Sequence, residues 1–331
     1  MIITRTPYRI SFFGGGTDHP VWYEKNGGAV LSTSIDKYCY ISCRFLPPFF
    51  KHKHRIVYSQ QENVNNINEI DHPSVRECMR YTKQKHGLEI HHDGDLPSMS
   101  GLGSSSSFTV GLLQALYGLK GELKNKRQLA LTAIHVEQKM IKESVGSQDQ
   151  TIAAFGGFNR IDFGGNKKIA VTPITIPTQR LDDFQNHLLL FFTDFSRKAS
   201  EIEAEKLKKF KNKDIELQTM TAMVGEGINI LKSKDDLNKF GQLLDQGWKL
   251  KRGLASVVSN DKIDAIYEAG LKAGASGGKL LGAGGGGFML FLAPPERHKK
   301  IKEKLKKFLN VPFRIEYSGS QIVYYSPTIL T

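Results

Sequence analysis

Four consecutive serines, Ser104 to Ser107, follow two closely spaced glycines, Gly101 and Gly103, within the stretch LPSMSGLGSSSS that begins at Leu96. Glycine lets a backbone turn tightly and approach a ligand, and the free N–H groups of a helix start, with serine hydroxyls, offer an anion several donors at once. Phe108, Leu112, Ala115 and Leu116 recur at helical spacing directly afterwards, with a serine available as N-cap. The stretch therefore reads as a phosphate cradle formed by Pro97, Ser98, Ser100, Gly101, Leu102, Gly103, Ser104, Ser105 and Ser106. A flexible Gly/Ser linker is the alternative, and the immediate amphipathic continuation argues against it.

The cradle has neither the GxxxxGK[ST] pattern of a P-loop nor a GxGxxG dinucleotide fingerprint, and no lysine lies between Gly103 and Lys120. Phosphate charge must then be met by backbone N–H groups, the helix dipole, hydroxyls and a metal ion. Ser104 or Ser105 would supply one oxygen to Mg²⁺, a hard cation that shares its ligands with substrate phosphates. A carboxylate partner is required, and Glu137 fits. The spacing predicts a helix from Lys126 to Glu143 whose apolar stripe of Leu129, Ala130, Ala133, Ile134, Met140 and Ile141 includes Glu137. A carboxylate on that stripe should be buried, which calls for a cation, a metal or a raised pKa. Pairing with Lys139 or Lys142 at the helix edge is the plainer alternative. Asp149, in VGSQDQTIAAFGG, is either a helix N-cap or a carboxylate held by a tight turn to take or orient the proton of an attacking hydroxyl.

Two more glycine loops flank these residues in sequence. TPYRISFFGGGTDHP sets Arg9 inside a predicted strand and Asp18 just after three glycines, where it would accept hydrogen bonds from sugar hydroxyls. SGGKLLGAGGGGFML sets further glycines around Lys279, Leu280 and Leu281 before a strand. Each alone reads as a tight turn. Three such loops in one chain suggest that backbone approaches a ligand.

The elements that position these residues are mixed. Strands are expected over Ile2–Phe13, Ala29–Phe45, Phe158–Phe163, Ile169–Ile176, His187–Phe192, Phe288–Ala293 and Phe313–Tyr317. Helices are expected over Ser104–Leu119, Lys126–Glu143, Ile202–Leu231 and Asp235–Leu250, with a boundary in the proline-containing stretch from Thr175 to Asn186. The 331 residues, 40% hydrophobic and 24% charged, suit a globular α+β protein of about two domains, 1–180 and 181–331. No apolar run approaches a membrane span, the N-terminus lacks the form of a signal peptide, and Cys39, Cys43 and Cys78 are too few for a disulfide framework. A cytoplasmic location is expected. The net charge of +13 lies largely in Glu205–Lys213 and Arg297–Lys307. In the second, Ile301, Leu305, Phe308 and Leu309 share a helical stripe, so this reads as an amphipathic surface helix with a solvated basic face. No nucleic-acid or membrane partner is expected.

The three glycine loops, in this order and at these intervals, resemble the signature motifs of the GHMP small-molecule kinase superfamily, and PSMSGLGSSSS matches its phosphate loop almost residue for residue. The resemblance covers essentially the whole chain. It implies an N-terminal domain of the ribosomal-S5-like fold with a left-handed βαβ crossover, a ferredoxin-like C-terminal domain, and ATP with Mg²⁺ as cofactors. By position it implies that Glu137 binds the metal, that Asp149 is the catalytic aspartate with Arg9 beside it, and that Asp18 binds sugar. Gly15, Gly16, Thr17, Gly284 and Gly285 become substrate contacts on the same grounds.

Departures from the family pattern bear on the substrate. Galactokinases carry Gly-Glu-His-Thr-Asp where this chain has Gly14, Gly15, Gly16, Thr17 and Asp18, so two side chains and one negative charge are lost and room is opened. RISFFGGGTDHPVWY and GGAVLSTSIDKY resemble the bacterial D-glycero-D-manno-heptose 7-phosphate kinases, which phosphorylate the anomeric hydroxyl on the way to GDP-heptose for surface polysaccharide. A phosphorylated substrate needs a cationic anchor, expected at Ser196, Arg197 and Lys198 in TDFSRKAS. A kinase of an unphosphorylated sugar such as fucose or galactose, and a non-catalytic sugar- or nucleotide-binding regulator, are the alternatives. The sequence leaves monomer and homodimer both open.

Overall fold

The computed structural model describes residues 1–98, 100–164, 169–193, 202, 205 and 213–327. Its organising strand is β2 (Gly28–Phe45), which pairs along its length with β1 (Ile2–Phe13) on one side. Its other side is shared by β6 (Phe158–Phe163), which pairs with Gly28–Thr33, and β5 (Leu88–Gly94), which pairs with Cys39–Phe45. Beyond β5 lie β3 (His54–Val57), parallel to it, and β4 (Gln61–Val64); β7 (Ile169–Pro173) continues from β6. The segment between β4 and β5 carries helix α2 (Pro73–Tyr81), which makes the parallel crossover possible.

A second, antiparallel sheet has the order β11 (Leu309–Asn310), β8 (Leu188–Phe192), β10 (Phe288–Leu292), β9 (Gly277–Leu280). The chain then returns to the first sheet: β12 (Ile315–Glu316) pairs with β2, and β13 (Gln321–Tyr325) covers the outer edge of β1. Helix α3 (Ser104–Leu119) packs on β1 and β2, with Val110, Leu112, Leu113, Ala115 and Leu116 fully buried. The two sheets are joined by aromatic rings. Phe12 of β1 meets Phe184 of α6 (Thr178–Asn186) at 5.5 Å and Phe240 of the helix Asn238–Leu254 at 5.6 Å, in tilted geometries that favour ring contacts.

The strands Ile2–Phe13 and Phe158–Phe163 and the helix Ser104–Leu119 fall as expected. Elsewhere the structure differs. The expected helix from Lys126 to Glu143 is α-helical only through His135, as α4 (Lys126–His135), and continues as a π-helical turn, Val136–Ile141. The N-cap of α3 is Gly103, in the left-handed region at φ 75°, rather than a serine. Of the expected helix Ile202–Leu231, the continuous described part is Asp214–Lys232. In the basic C-terminal segment the helix is His298–Lys304; Ile301 and Leu305 are buried, but Leu309 is exposed and lies in β11. All three cysteines are buried and free. No helix among the described residues is long and apolar enough to cross a membrane.

Candidate active site

Strand alternation sends Arg9 and Ser11 of β1 to the same face, toward the start of α3. The phosphate loop is fastened to that strand at two points: the Arg9 N–H donates to the Leu102 carbonyl at 3.0 Å, and Ser107 Oγ donates to the Pro7 carbonyl at 2.9 Å. The left-handed cap at Gly103 starts α3 at this place. A β-carbon on Gly103 would stand 3.1 Å from Arg9 Cγ and 3.4 Å from Asp149 Oδ2, so glycine alone fits without strain. The third glycine loop packs backbone against backbone here: a β-carbon on Gly101 would meet the Leu281 carbonyl oxygen at 2.6 Å. Some of the glycine-richness thus serves contact between loops rather than contact with a ligand.

Asp149 lies in the first turn of α5 (Gln148–Phe155), whose N-cap is Ser147. Arg9 grips it with two bonds, Nε to Oδ1 and Nη2 to Oδ2, each 2.7 Å, while Nη1 donates to the Gly101 carbonyl at 2.7 Å. A buried guanidinium thereby fixes both the carboxylate and the turn of the phosphate loop. Asp18 is buried on the opposite loop, where its carboxylate accepts from the N–H of Gly16 at 2.9 Å and of Gln148 at 3.3 Å. These groups line a cleft of about 270 Å³ together with Gly15, Gly16, Ser104, Ser105 and Ser106.

Glu137 is fully buried, as its place on the apolar stripe implied. The π-helical turn that carries it closes with the Lys142 and Glu143 N–H groups both donating to the Glu137 carbonyl, the latter at 3.0 Å. One carboxylate oxygen, Oε2, accepts from Ser106 Oγ at 2.9 Å and from the Gln150 amide. The other, Oε1, has no hydrogen-bond partner among the described residues. Burial, with a smaller push from Glu143, raises the carboxyl to about 7, against the pull of the polar groups of Gln150, Thr109 and Ser106. An orphaned, buried carboxylate oxygen beside a phosphate-loop hydroxyl suits a cation. No cluster of three or more His, Cys, Asp or Glu exists among the described residues to hold a metal by protein ligands alone. Mg²⁺ is bound by one or two carboxylates plus phosphate oxygens and water, so the donor set fits it. Ser104, Ser105 and Ser106 all line the cleft, and Ser106 is the one joined to Glu137.

Other expected contacts fall outside the cleft lining. The Thr17 hydroxyl is spent on the Gly14 and Ala29 carbonyls, at 2.8 and 3.0 Å, and pins its loop to β2. Leu102 and Ser100 are buried beneath the loop, and Pro97 and Ser98 lie on its exposed approach. Gly284 and Gly285 pack on Val258; from this loop it is Gly282 and Ala283 that line the cleft. Ser196, Arg197 and Lys198 lie outside the described residues. Sequence reasoning missed Ser11, Glu143, Gln148, Lys251 and Lys279. Lys279 of β9 donates to the Phe12 carbonyl of β1 at 2.7 Å, joining the two sheets, and Lys251 of the helix Asn238–Leu254 donates to the Leu280 carbonyl of β9 at 3.3 Å.

A loop of backbone donors at a helix start, an arginine-held aspartate and a buried acidic side chain make an arrangement suited to phosphoryl transfer. The chain belongs to the GHMP kinase family: the model of the GHMP kinases N terminal domain matches residues 73–157, and that of the GHMP kinases C terminal matches residues 229–311. It is an ATP-dependent kinase. Among curated proteins it is 30% identical to the D-glycero-alpha-D-manno-heptose 7-phosphate kinase of Campylobacter jejuni, over 92% of this chain and 93% of that one. It is 24% identical to the galactokinase of Pyrococcus furiosus, over 93% and 94%. Its fold matches that of a D-glycero-D-manno-heptose 1-phosphate kinase from Bacteriodes thetaiotaomicron, with a TM-score of 0.79 and 21% identity over 98% of this chain and 100% of that one.

Proposed function

We propose that this sugar kinase transfers the γ-phosphoryl group of ATP to the anomeric C1 hydroxyl of D-glycero-D-manno-heptose 7-phosphate, giving the 1,7-bisphosphate for GDP-heptose synthesis. The observation that carries this reading is the Arg9–Asp149 pair set between the phosphate loop and Asp18 in one cleft. The 30% identity to the heptose 7-phosphate kinase of Campylobacter jejuni supports the choice of sugar. In the reaction O1 of the sugar bonds to the γ-phosphorus, the bond to the bridging β–γ oxygen breaks, ADP leaves, and the hydroxyl proton passes to the Asp149 carboxylate. Arg9 aims that carboxylate by its two hydrogen bonds. The N–H groups at the start of α3 and the serine hydroxyls hold the phosphates, and Asp18 accepts hydrogen bonds from sugar hydroxyls.

Glu137 and Ser106, with Ser104 or Ser105, would hold Mg²⁺, which when bound offsets charge on the β- and γ-phosphates. In this reading residues 1–180 make up the domain of the phosphate loop and 181–331 the second domain, although β12 and β13 pair with the first sheet. The enzyme works in the cytoplasm on small molecules. Ser196, Arg197 and Lys198 anchor the distal phosphate in this reading. Replacing Arg197 with alanine should raise KM for the sugar phosphate far more than for ATP; equal effects reject the anchor.

The test of the reaction is an ATP-consumption screen over free hexoses, heptoses and their terminal phosphates, with the new phosphate located by ³¹P NMR. Turnover of the heptose 7-phosphate with a phosphate on C1 is expected. Preference for an unphosphorylated sugar such as fucose or galactose, or phosphate at another position, overturns it.

A further inference from the structure

Two side-chain atoms in the cleft have no role in the mechanism above. Ser11 Oγ and Gln148 Oε1 are both buried and both lack a hydrogen-bond partner among the described residues. Their residues are 7% and 9% exposed, and both line the cleft. Buried polar groups are normally satisfied, and leaving one unpaired is costly, so two together at a cleft wall call for an explanation. Neither is a packing accident of a loop. Ser11 lies on β1 next to a break in the β1–β2 register between Ser11 and Phe13, the kind of irregularity that re-aims a side chain beside a site. Gln148 opens α5, one residue before Asp149, with its backbone N–H held by Asp18.

Both side chains lie beside Gly15, Ser11 through its hydroxyl and Gln148 through its amide. A β-carbon built there would stand 3.7 Å from Ser11 Oγ and 3.7 Å from Gln148 Nε2, an ordinary contact distance. Gly15 is not among the glycines of positive φ, so an alanine is conformationally allowed. The missing side chain therefore serves neither turn geometry nor close packing. It leaves open the space in front of Ser11 and Gln148.

We propose that Ser11 and Gln148, reached through the gap at Gly15, form a subsite that hydrogen-bonds a hydroxyl group of the sugar substrate and so helps to determine which sugar is accepted. The chemistry selects a hydroxyl over a phosphate. Gln148 Oε1 can only accept, and a phosphate dianion has no proton to give it, whereas a sugar hydroxyl both gives and accepts, as the serine and the amide require. A site built to bond a hydroxyl discriminates strongly against analogues that lack it, because its own polar groups are then left buried and unpaired.

This inference rests on the reading of the protein as a sugar kinase but not on the identity of the sugar. The test uses D-glycero-D-manno-heptose 7-phosphate or, if that is not turned over, whichever sugar the screen identifies, so failure of the substrate assignment and failure of the subsite are separate results. In Ser11→Ala and Gln148→Ala, KM for the sugar should rise roughly 5- to 10-fold each while KM for ATP stays within twofold. Gly15→Ala should fold normally and raise the sugar KM by filling the gap. Because the Ser11 hydroxyl has no partner in the free protein, Ser11→Ala should leave Tm unchanged or raise it, the opposite of what a structural hydroxyl would do. A monodeoxy analogue lacking the contacted hydroxyl should be turned over equally by wild type and by Ser11→Ala. Sugar and ATP KM values moving together, a sugar KM unchanged in both Ser11→Ala and Gln148→Ala, or a Tm lowered by several degrees in Ser11→Ala would overturn the assignment.

Discussion

At the scale of single residues, the Arg9–Asp149 pair makes the sharpest claim. Asp149→Asn keeps the size of the side chain and loses its ability to take a proton. Since general-base assistance is worth roughly 10²–10⁴-fold, kcat should fall within that range while ATP binding, measured by calorimetry, is retained. Near-normal turnover would mean that the carboxylate only orients the hydroxyl. Glu137→Gln should raise the Mg²⁺ concentration needed for half-maximal activity and leave the circular dichroism spectrum unchanged; an unaltered Mg²⁺ requirement would remove Glu137 from the metal site. The burial of Glu137 could be read from its place among Leu129, Ala133 and Ile141, and Arg9 could be placed on a strand beside glycines. Ser11 and Gln148 could not be found that way. Neither is charged, and what marks them out is the absence of a partner, which becomes visible only when three loops distant in sequence are brought together.

At the scale of elements, the β3–β4–α2–β5 unit is not legible in the sequence, since its strands are four to seven residues long and are broken by charged and polar positions such as Arg55, Glu62 and Glu89. Glu89 shows how such residues are accommodated. Although burial raises its pKa, hydrogen bonds from His91, Arg44 and Arg55 bring it down to about 2. The π-helical turn was hidden for a related reason: one extra residue in a helix alters the pattern less than the side chains around it do. His54, on β3, gives this unit a pH dependence. It is buried, its Nδ1 accepts from the Leu88 N–H at 3.3 Å, and burial, with some help from Lys53, lowers its pKa to about 4. The folded value lies below the unfolded one near 6.5, so the unfolded chain takes up the proton first. The stability involved is fully present above pH 6.5 and is lost as pH falls toward 4, up to about 3 kcal/mol. Urea unfolding at pH 7.5 and pH 5 should show the drop, and His54→Gln should flatten it. Equal slopes for the two proteins would show that His54 titrates normally.

At the scale of the whole molecule, the two halves of the sequence do not map cleanly onto the two sheets. Ile2 to Arg5 of β1 pair with Gln321 to Tyr325 of β13, and the Ser326 N–H donates to the Met1 carbonyl at 2.8 Å. Truncation after Pro312 would remove β12 and β13 and leave the edge of β1 open. It should lower Tm by roughly 10 °C or more, or give aggregated protein, even though the active-site residues are intact. A Tm within a few degrees of the full chain would show that the returning strands are dispensable. The same pairing sets a timetable. During synthesis β1 emerges long before its edge partner, and the strand that covers it is not available until more than three hundred further residues have left the ribosome. Throughout that interval the sheet that carries Arg9 has an uncovered edge, the kind of surface on which incomplete chains associate.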